Sequence, residues 1–173
     1  GAERGLRRDR GGRRRGVHGG SGVGVGGADD CVRRGADKLG IPRGTGGNGT
    51  DAVWDGHPLY VGRAGGFGDR PGNFAVQNSD LVFSVGSRLS IRQVGYNYET
   101  WARAAYVIVN DIDPEELKKP SVHADLRIHA DAKDLLEAMD RVLDAEKSLA
   151  VFKGGGGKNG TTWRTHCQLR KQK

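Results

Sequence analysis

The sequence predicts an α/β domain built on a mainly parallel sheet, and three kinds of observation predict it. Short apolar runs closed by turn residues recur, as in Leu81-Val82-Phe83-Ser84-Val85 before Gly86 and Ala105-Tyr106-Val107-Ile108-Val109 before Asn110. Runs of this length without polar alternation suit strands buried on both faces. Segments with helical spacing and helix-start residues separate the runs, and such alternation is the pattern of βαβ units.

Taken in order, residues 1–27 are almost all Arg and Gly (GAERGLRRDRGGRRRGVHGGSGVGVGG). Such a stretch buries too little apolar surface to offset the entropy of ordering its glycines, so it reads as disordered, or as a poor strand around Val17 to Val25. Asp69 to Ser79 reads as a helix entered through Pro71 and leading into the strand at Leu81. After the strand at 105–109, Asp113 is placed to cap a helix. Pro114 suits its first position, and Glu116 falls where a capping box needs it. A weaker strand follows near Leu126 to His129. Asp131 then caps the last helix, whose Ala132, Leu135, Leu136, Met139, Val142 and Leu143 recur at three- and four-residue steps. A low-complexity patch, Gly154 to Gly157, opens a polar tail that ends in RKQK. The expected division is therefore an Arg/Gly-rich segment over 1–27, a folded domain over 28–146 and a basic tail over 147–173.

Charge follows the same division. Over the 173 residues the formal net charge is +7. Residues 1–50 hold 11 Lys/Arg against 5 Asp/Glu, residues 51–150 hold 11 against 16, and residues 151–173 hold 6 against none, for nets of +6, −5 and +6. The basic character belongs to the ends. A folded part with an acidic centre presents no basic face to a polyanion, which argues against a nucleic-acid partner. The Arg/Gly segment has a single RGG triplet and no aromatic residue before Trp54 for bases to stack on. No apolar run approaches the length of a membrane span and no secretory signal opens the chain. Cys31 and Cys167 form no CxxC or Cys/His cluster, as expected of ordinary thiols in the cytoplasm.

In parallel α/β sheets ligands sit at the carboxyl ends of the strands. Those ends carry Gly86-Ser87-Arg88 and Asp111-Ile112-Asp113. A small-residue turn followed by arginine puts a fixed cation at the mouth of the sheet, suited to pyrophosphate. Arg92 shares that face if a helical turn follows. Alternatively Arg88 forms a structural ion pair with Asp111 or Asp113. Those two aspartates flank Ile112 and fall on one face, fit for a structural or ribose-binding role. The run Tyr60 to Asn73 (YVGRAGGFGDRPGN) is a glycine-rich loop entering a helix, either a plain turn or a phosphate approach. It follows no recognisable strand in dinucleotide-fingerprint spacing, and no Walker loop or GxSxG elbow is present. The five histidines (His18, His57, His123, His129, His166) show no catalytic or metal spacing and read as surface or satisfied side chains.

Four segments together resemble a known family. DKLGIP (Asp37 to Pro42), HPLYVGRAGGFGDRPGNFAVQNSDLVFSVGSRLSIRQVGYN (His57 to Asn97), AYVIVNDIDPEELKKP (Ala105 to Pro120) and IHADAKDLLEAM (Ile128 to Met139) resemble, in order, the central domain of thiamine diphosphate-dependent enzymes of the acetolactate synthase large subunit kind. The resemblance implies a Rossmann-like parallel sheet with helices on both faces. In such enzymes this domain holds FAD, or ADP, or nothing and acts as a spacer. Carried over by position, it implies cofactor contacts at Gly62, Gly65, Asn73, Gly86, Ser87, Arg88, Arg92, Asp111 and Asp113. Two aspartates precede the arginine of acetolactate synthase that corresponds to Arg92, whereas Ser90-Ile91 stand here. The GDG and paired-asparagine segments that hold thiamine diphosphate and Mg²⁺ in the parent enzymes are missing, as is the activating glutamate of a further domain. The expectation is a fragment without catalysis of its own, and with no catalytic or metal residue. It would serve 2-oxo acid decarboxylation and carboligation beside the missing thiamine-binding domains or as a homo-oligomer. The alternative is a stand-alone FAD- or ADP-binding module. The family also places an apolar first strand where this chain has RRRGVHGGSGVGVGG, so that strand is expected to be damaged and the pocket to lose a wall.

Overall fold

A computed structural model describes residues 15–47, 49 and 53–145. The first 14 residues and the predicted tail over 147–173 lie outside the described residues. Six strands form one sheet: β1 (Arg15–Gly19), β2 (Arg43–Thr45), β3 (Tyr60–Arg63), β4 (Leu81–Val85), β5 (Tyr106–Asp111) and β6 (Leu126–His129). All pairings are parallel, in the order β3-β2-β1-β4-β5-β6. This is the doubly wound order, in which the chain reverses direction across the sheet between β1 and β4. The expected fold class is the one observed.

The helices are α1 (Ser21–Val25), α2 (Asp29–Leu39), α3 (Arg70–Gln77), α4 (Ile91–Val94), α5 (Pro114–Lys118) and α6 (Ala132–Ala145). Alternation along β4 feeds two cores, as the two-residue period of a strand requires. Leu81, Phe83 and Val85 pack with Ile108 against Cys31 and Val32 of α2 and Leu135 and Leu136 of α6. Val82, with Val107, faces the other way toward Leu89, Val94, Trp101 and Val122. All five β4 residues are buried, which explains an apolar run with no polar alternation. Lys38 ties α2 to α6 through Asp140 at 2.5 Å and Asp144 at 2.7 Å.

Most sequence-predicted boundaries hold, and their chemistry is visible. Asp69 accepts from the Gly72 amide at the start of α3, and Asp113 accepts from the Glu115 amide at the start of α5. Asp131 accepts from the amides of Lys133 and Asp134 as α6 begins. The weak strand expected near Leu126 to His129 is β6.

Three readings differ. The capping box at Glu116 does not form, because its carboxylate lies 2.7 Å from Arg88 and 2.6 Å from Lys119. The Asp113 amide donates instead to Asp111 at 3.1 Å. The glycine loop at 65–68 does follow a strand, since Tyr60–Arg63 is β3. Above all, residues 15–27 belong to the fold. Of the two readings of 1–27, the strand around Val17 to Val25 comes nearer than disorder, although it lies at Arg15–Gly19 and a helix occupies Ser21–Val25. These residues supply β1, paired on both sides, and then α1. Arg, Gly and His are poor strand formers alone, but two flanking strands satisfy the backbone of β1 and impose its extended shape.

A cleft at the switch point of the sheet

The turns that follow β1, β4 and β5 meet at the carboxyl ends of those strands. The Gly20 amide donates to the Val85 carbonyl at 3.0 Å, Gly22 to the Gly86 carbonyl at 2.9 Å, and Gly86 to the Asn110 carbonyl at 3.0 Å. This nesting of backbone on backbone requires glycine. A Cβ on Gly20 would stand 2.2 Å from Ser87 Cα, and one on Gly22 would stand 2.7 Å from the Gly86 oxygen. Gly86 also has φ +54, open to glycine without strain. The Gly19-Gly20-Ser21-Gly22 run was legible as a glycine turn, but its Arg/Gly setting gave it the look of low complexity.

Beside these turns opens a cleft of about 320 Å³. Gly86, Arg88, Asp111 and Asp113 line it, as four of the nine expected contact residues. Residues that sequence reasoning did not single out for binding join them: Ser21, Gly22, Asn110 and Asp131. Arg88 is 75 % exposed at its side chain and pairs with Glu116, not with Asp111 or Asp113. Lys119 holds the Glu116 carboxyl below its usual range by hydrogen bonding, with Arg88 adding to the effect. Ser87 lies at the turn, and its hydroxyl is buried without a hydrogen-bond partner among the described residues.

Asn110 is 1 % exposed. Its amide nitrogen donates to the Ile128 and Ala130 carbonyls at 3.2 and 2.8 Å, while its oxygen has no partner among the described residues. The carboxylates use one oxygen each. Oδ1 of Asp111, Asp113 and Asp131 accepts from backbone amides, and the three Oδ2 atoms make no hydrogen bond among the described residues.

The other expected contacts gather elsewhere, around the carboxyl end of β3. Asn73 brackets Gly65, accepting from its amide at 2.9 Å and donating to its carbonyl at 3.1 Å. Gly62 and Gly65 have φ +117 and +121; a Cβ would meet Asp69 at 2.2 Å in the first case and the Arg92 carbonyl at 2.7 Å in the second. The Gly66 amide donates to that same carbonyl at 2.8 Å. These residues build a loop and fasten it to α4. The Arg92 side chain is exposed. None of Gly62, Gly65, Asn73 and Arg92 lines the cleft.

The reading of the histidines as surface or satisfied fails at His18. It is 2 % exposed, neither ring nitrogen has a hydrogen-bond partner among the described residues, and burial pushes its pKa down to about 4. Cys31 is buried, and Cys167 lies outside the described residues. No group of three or more His, Cys, Asp or Glu able to hold a metal occurs among the described residues, and none of their helices is long and apolar enough to cross a membrane.

Comparison with known proteins decides the family. The family described as thiamine pyrophosphate enzyme, central domain, matches residues 12–139. The chain belongs to that central-domain family. It is 35 % identical over 125 residues to a probable acetolactate synthase large subunit of Methanococcus aeolicus, covering 72 % of this chain and 20 % of the relative. It is 34 % identical over 152 residues to the acetolactate synthase isozyme 2 large subunit of Escherichia coli, covering 87 % of this chain and 25 % of the relative. With an acetolactate synthase of Mycobacterium avium it shares 36 % identity over 124 residues, again 72 % of this chain and 20 % of the relative. The chain thus spans a fifth to a quarter of the length of these relatives. The match to a thiamine pyrophosphate enzyme central domain takes in β1 and α1, the part that the Arg/Gly composition disguised.

Proposed function

We propose that this chain works as the nucleotide-holding central domain of a thiamine diphosphate-dependent enzyme of the acetolactate synthase kind, and carries no catalytic group itself. The observation that carries the reading is the switch-point cleft. Turns from three strands converge there, glycine contacts keep the turns close, and the buried Asn110 oxygen in its lining has no hydrogen-bond partner among the described residues. Ligands of doubly wound sheets occupy this place. Residues Gly86, Ser87, Arg88, Asp111 and Asp113 would hold FAD or ADP there. Gly62, Gly65, Asn73 and Arg92 would act by shaping the neighbouring loop.

In the full-length enzyme, thiamine diphosphate with Mg²⁺ would supply the carbanion chemistry that decarboxylates and joins 2-oxo acids. This domain would orient the neighbours that bind them. Its partners would be those thiamine-binding domains or further copies of the enzyme, in the cytoplasm. That the relatives carry this match as a fifth to a quarter of their length supports a domain role over a stand-alone nucleotide-binding module.

A thermal melt of the 173-residue chain in about 0.15 M salt, with and without FAD or ADP, tests the reading. A ligand held at about a hundred times its Kd adds about 2.7 kcal/mol of native-state stability, an upward shift of about 5–10 °C for a domain of this size. A midpoint that moves with neither ligand removes the nucleotide reading and leaves a spacer.

A further inference from the structure

Helices α2 and α6 pack against each other on one face of the sheet, and the residues that α2 turns toward α6 are small. Cys31, Gly35 and Ala36 share with Leu136, Met139 and Leu143 the walls of a cavity of about 60 Å³. Phe83 and Ile108 of the sheet close it from beneath. A Cβ built on Gly35 would meet nothing within 4 Å, so no neighbouring atom occupies the place of the missing side chain.

The lining is apolar. Asp140 is its one charged residue among the described residues, and that carboxylate already has Lys38 at 2.5 Å and Arg34 at 3.5 Å. Lys38 also reaches Asp144 at 2.7 Å. These ion pairs run from α2 to α6 and set the separation of the two helices over the cavity.

Protein interiors leave few voids larger than a water molecule. Side chains that face such a void forfeit dispersion contacts on that side. Water gains little there, because an apolar lining offers it too few hydrogen-bond partners, whereas an apolar molecule restores the missing contacts.

We propose that the cavity between α2 and α6 is a binding site for a compact, neutral, apolar molecule. A cavity of roughly 150 Å³ admits benzene or xenon. One of about 60 Å³ suits the smaller of these, or a short hydrocarbon. The site shares no lining residue with the switch-point cleft, so the inference goes beyond the nucleotide reading and is tested separately from it.

Met139 supplies the reporter, because it is the one methionine of the chain. Its isotope-labelled methyl group is followed by NMR in the full 173-residue chain as xenon pressure is raised. The signal is expected to shift and then to saturate. Gly35→Leu fills the space with an apolar side chain and should abolish the saturable shift. Should Gly35→Leu not fold, Gly35→Ala is the milder change. Its methyl group should weaken xenon about fourfold, the worth of one methylene of buried contact.

A Met139 signal that drifts in proportion to pressure without saturating would overturn the inference. So would a xenon affinity that is the same in the folded Gly35 variant as in the unaltered chain.

Discussion

The two halves of the sheet are built from different material. On one side, β4, β5 and β6 with α5 and α6 carry their own apolar side chains, and their helices open on side-chain caps from Asp113 and Asp131. On the other, β1 and β2 are made of Arg, Gly, Val, His and Thr, and α1 has no side-chain cap. Buried polar atoms collect in this second half, where the His18 ring, the Thr45 hydroxyl and the Arg43 Nε lack hydrogen-bond partners among the described residues. The lesson is that a sheet with one well-encoded half can impose strand geometry on a neighbour that would not choose it. Parallel pairing on both sides of β1 supplies the backbone bonds that its side chains do nothing to favour.

The largest effect that would break this picture is at the seam between the halves. Gly20→Val puts a branched side chain where even a Cβ lies 2.2 Å from Ser87 Cα. It should cost about 3 kcal/mol in urea unfolding, at the upper end for overpacking. A loss below about 0.5 kcal/mol, the size of an ordinary surface change, would show that β1 and β4 are not held so closely.

Next comes acid. The folded pKa of His18 is lowered from 6.5 to about 4. Between those values the unfolded chain binds a proton that the folded chain refuses. The contribution of this group is therefore complete above pH 6.5 and is lost as pH falls toward 4. Over that window stability should drop by about 3 kcal/mol, at about 1.4 kcal/mol per pKa unit. His18→Leu should remove this part of the acid dependence, and an unchanged slope in the variant would contradict the burial.

The well-encoded half should respond in smaller, local steps. Asp131→Ala deprives α6 of its cap and should cost about 1 kcal/mol, with the acid dependence of His18 untouched. Coupling between the two effects, read in a double variant, would show that the halves do not behave separately. Smallest of all, Gly35→Ala in α2 adds a Cβ that meets nothing within 4 Å. It should stabilise the chain by about 0.5–1 kcal/mol, the helix penalty of glycine, and a loss of stability would mean that the α2–β1 packing is tighter than the structure shows.

What was legible in the sequence follows the same division. The strand at Leu81, the strand into Asp111, the caps at Asp69, Asp113 and Asp131 and the stripe of α6 are local signals, each contained in a few residues. Of the expected contacts, Gly86, Arg88, Asp111 and Asp113 reach the cleft because strand ends are readable from the strands themselves. Glu116 misled because its position suits a cap, yet Arg88 and Lys119 offer its carboxylate a charged partnership that a backbone amide cannot match. Gly62, Gly65 and Asn73 have a purpose that the sequence does not spell out: holding a loop beside α4.

The sequence by itself determined the fold class, the better half of the sheet and the family resemblance, since periodicity, capping and motif order are properties of neighbouring residues. Only the tertiary structure decided that Arg15–Gly19 is a central strand and that Ser21 and Gly22 line one side of the cleft. It also showed that the cleft's lining is acidic. The reason is physical: these facts depend on the close approach of turns far apart in the chain, and a low-complexity run of glycines carries no local sign of the backbone it will meet.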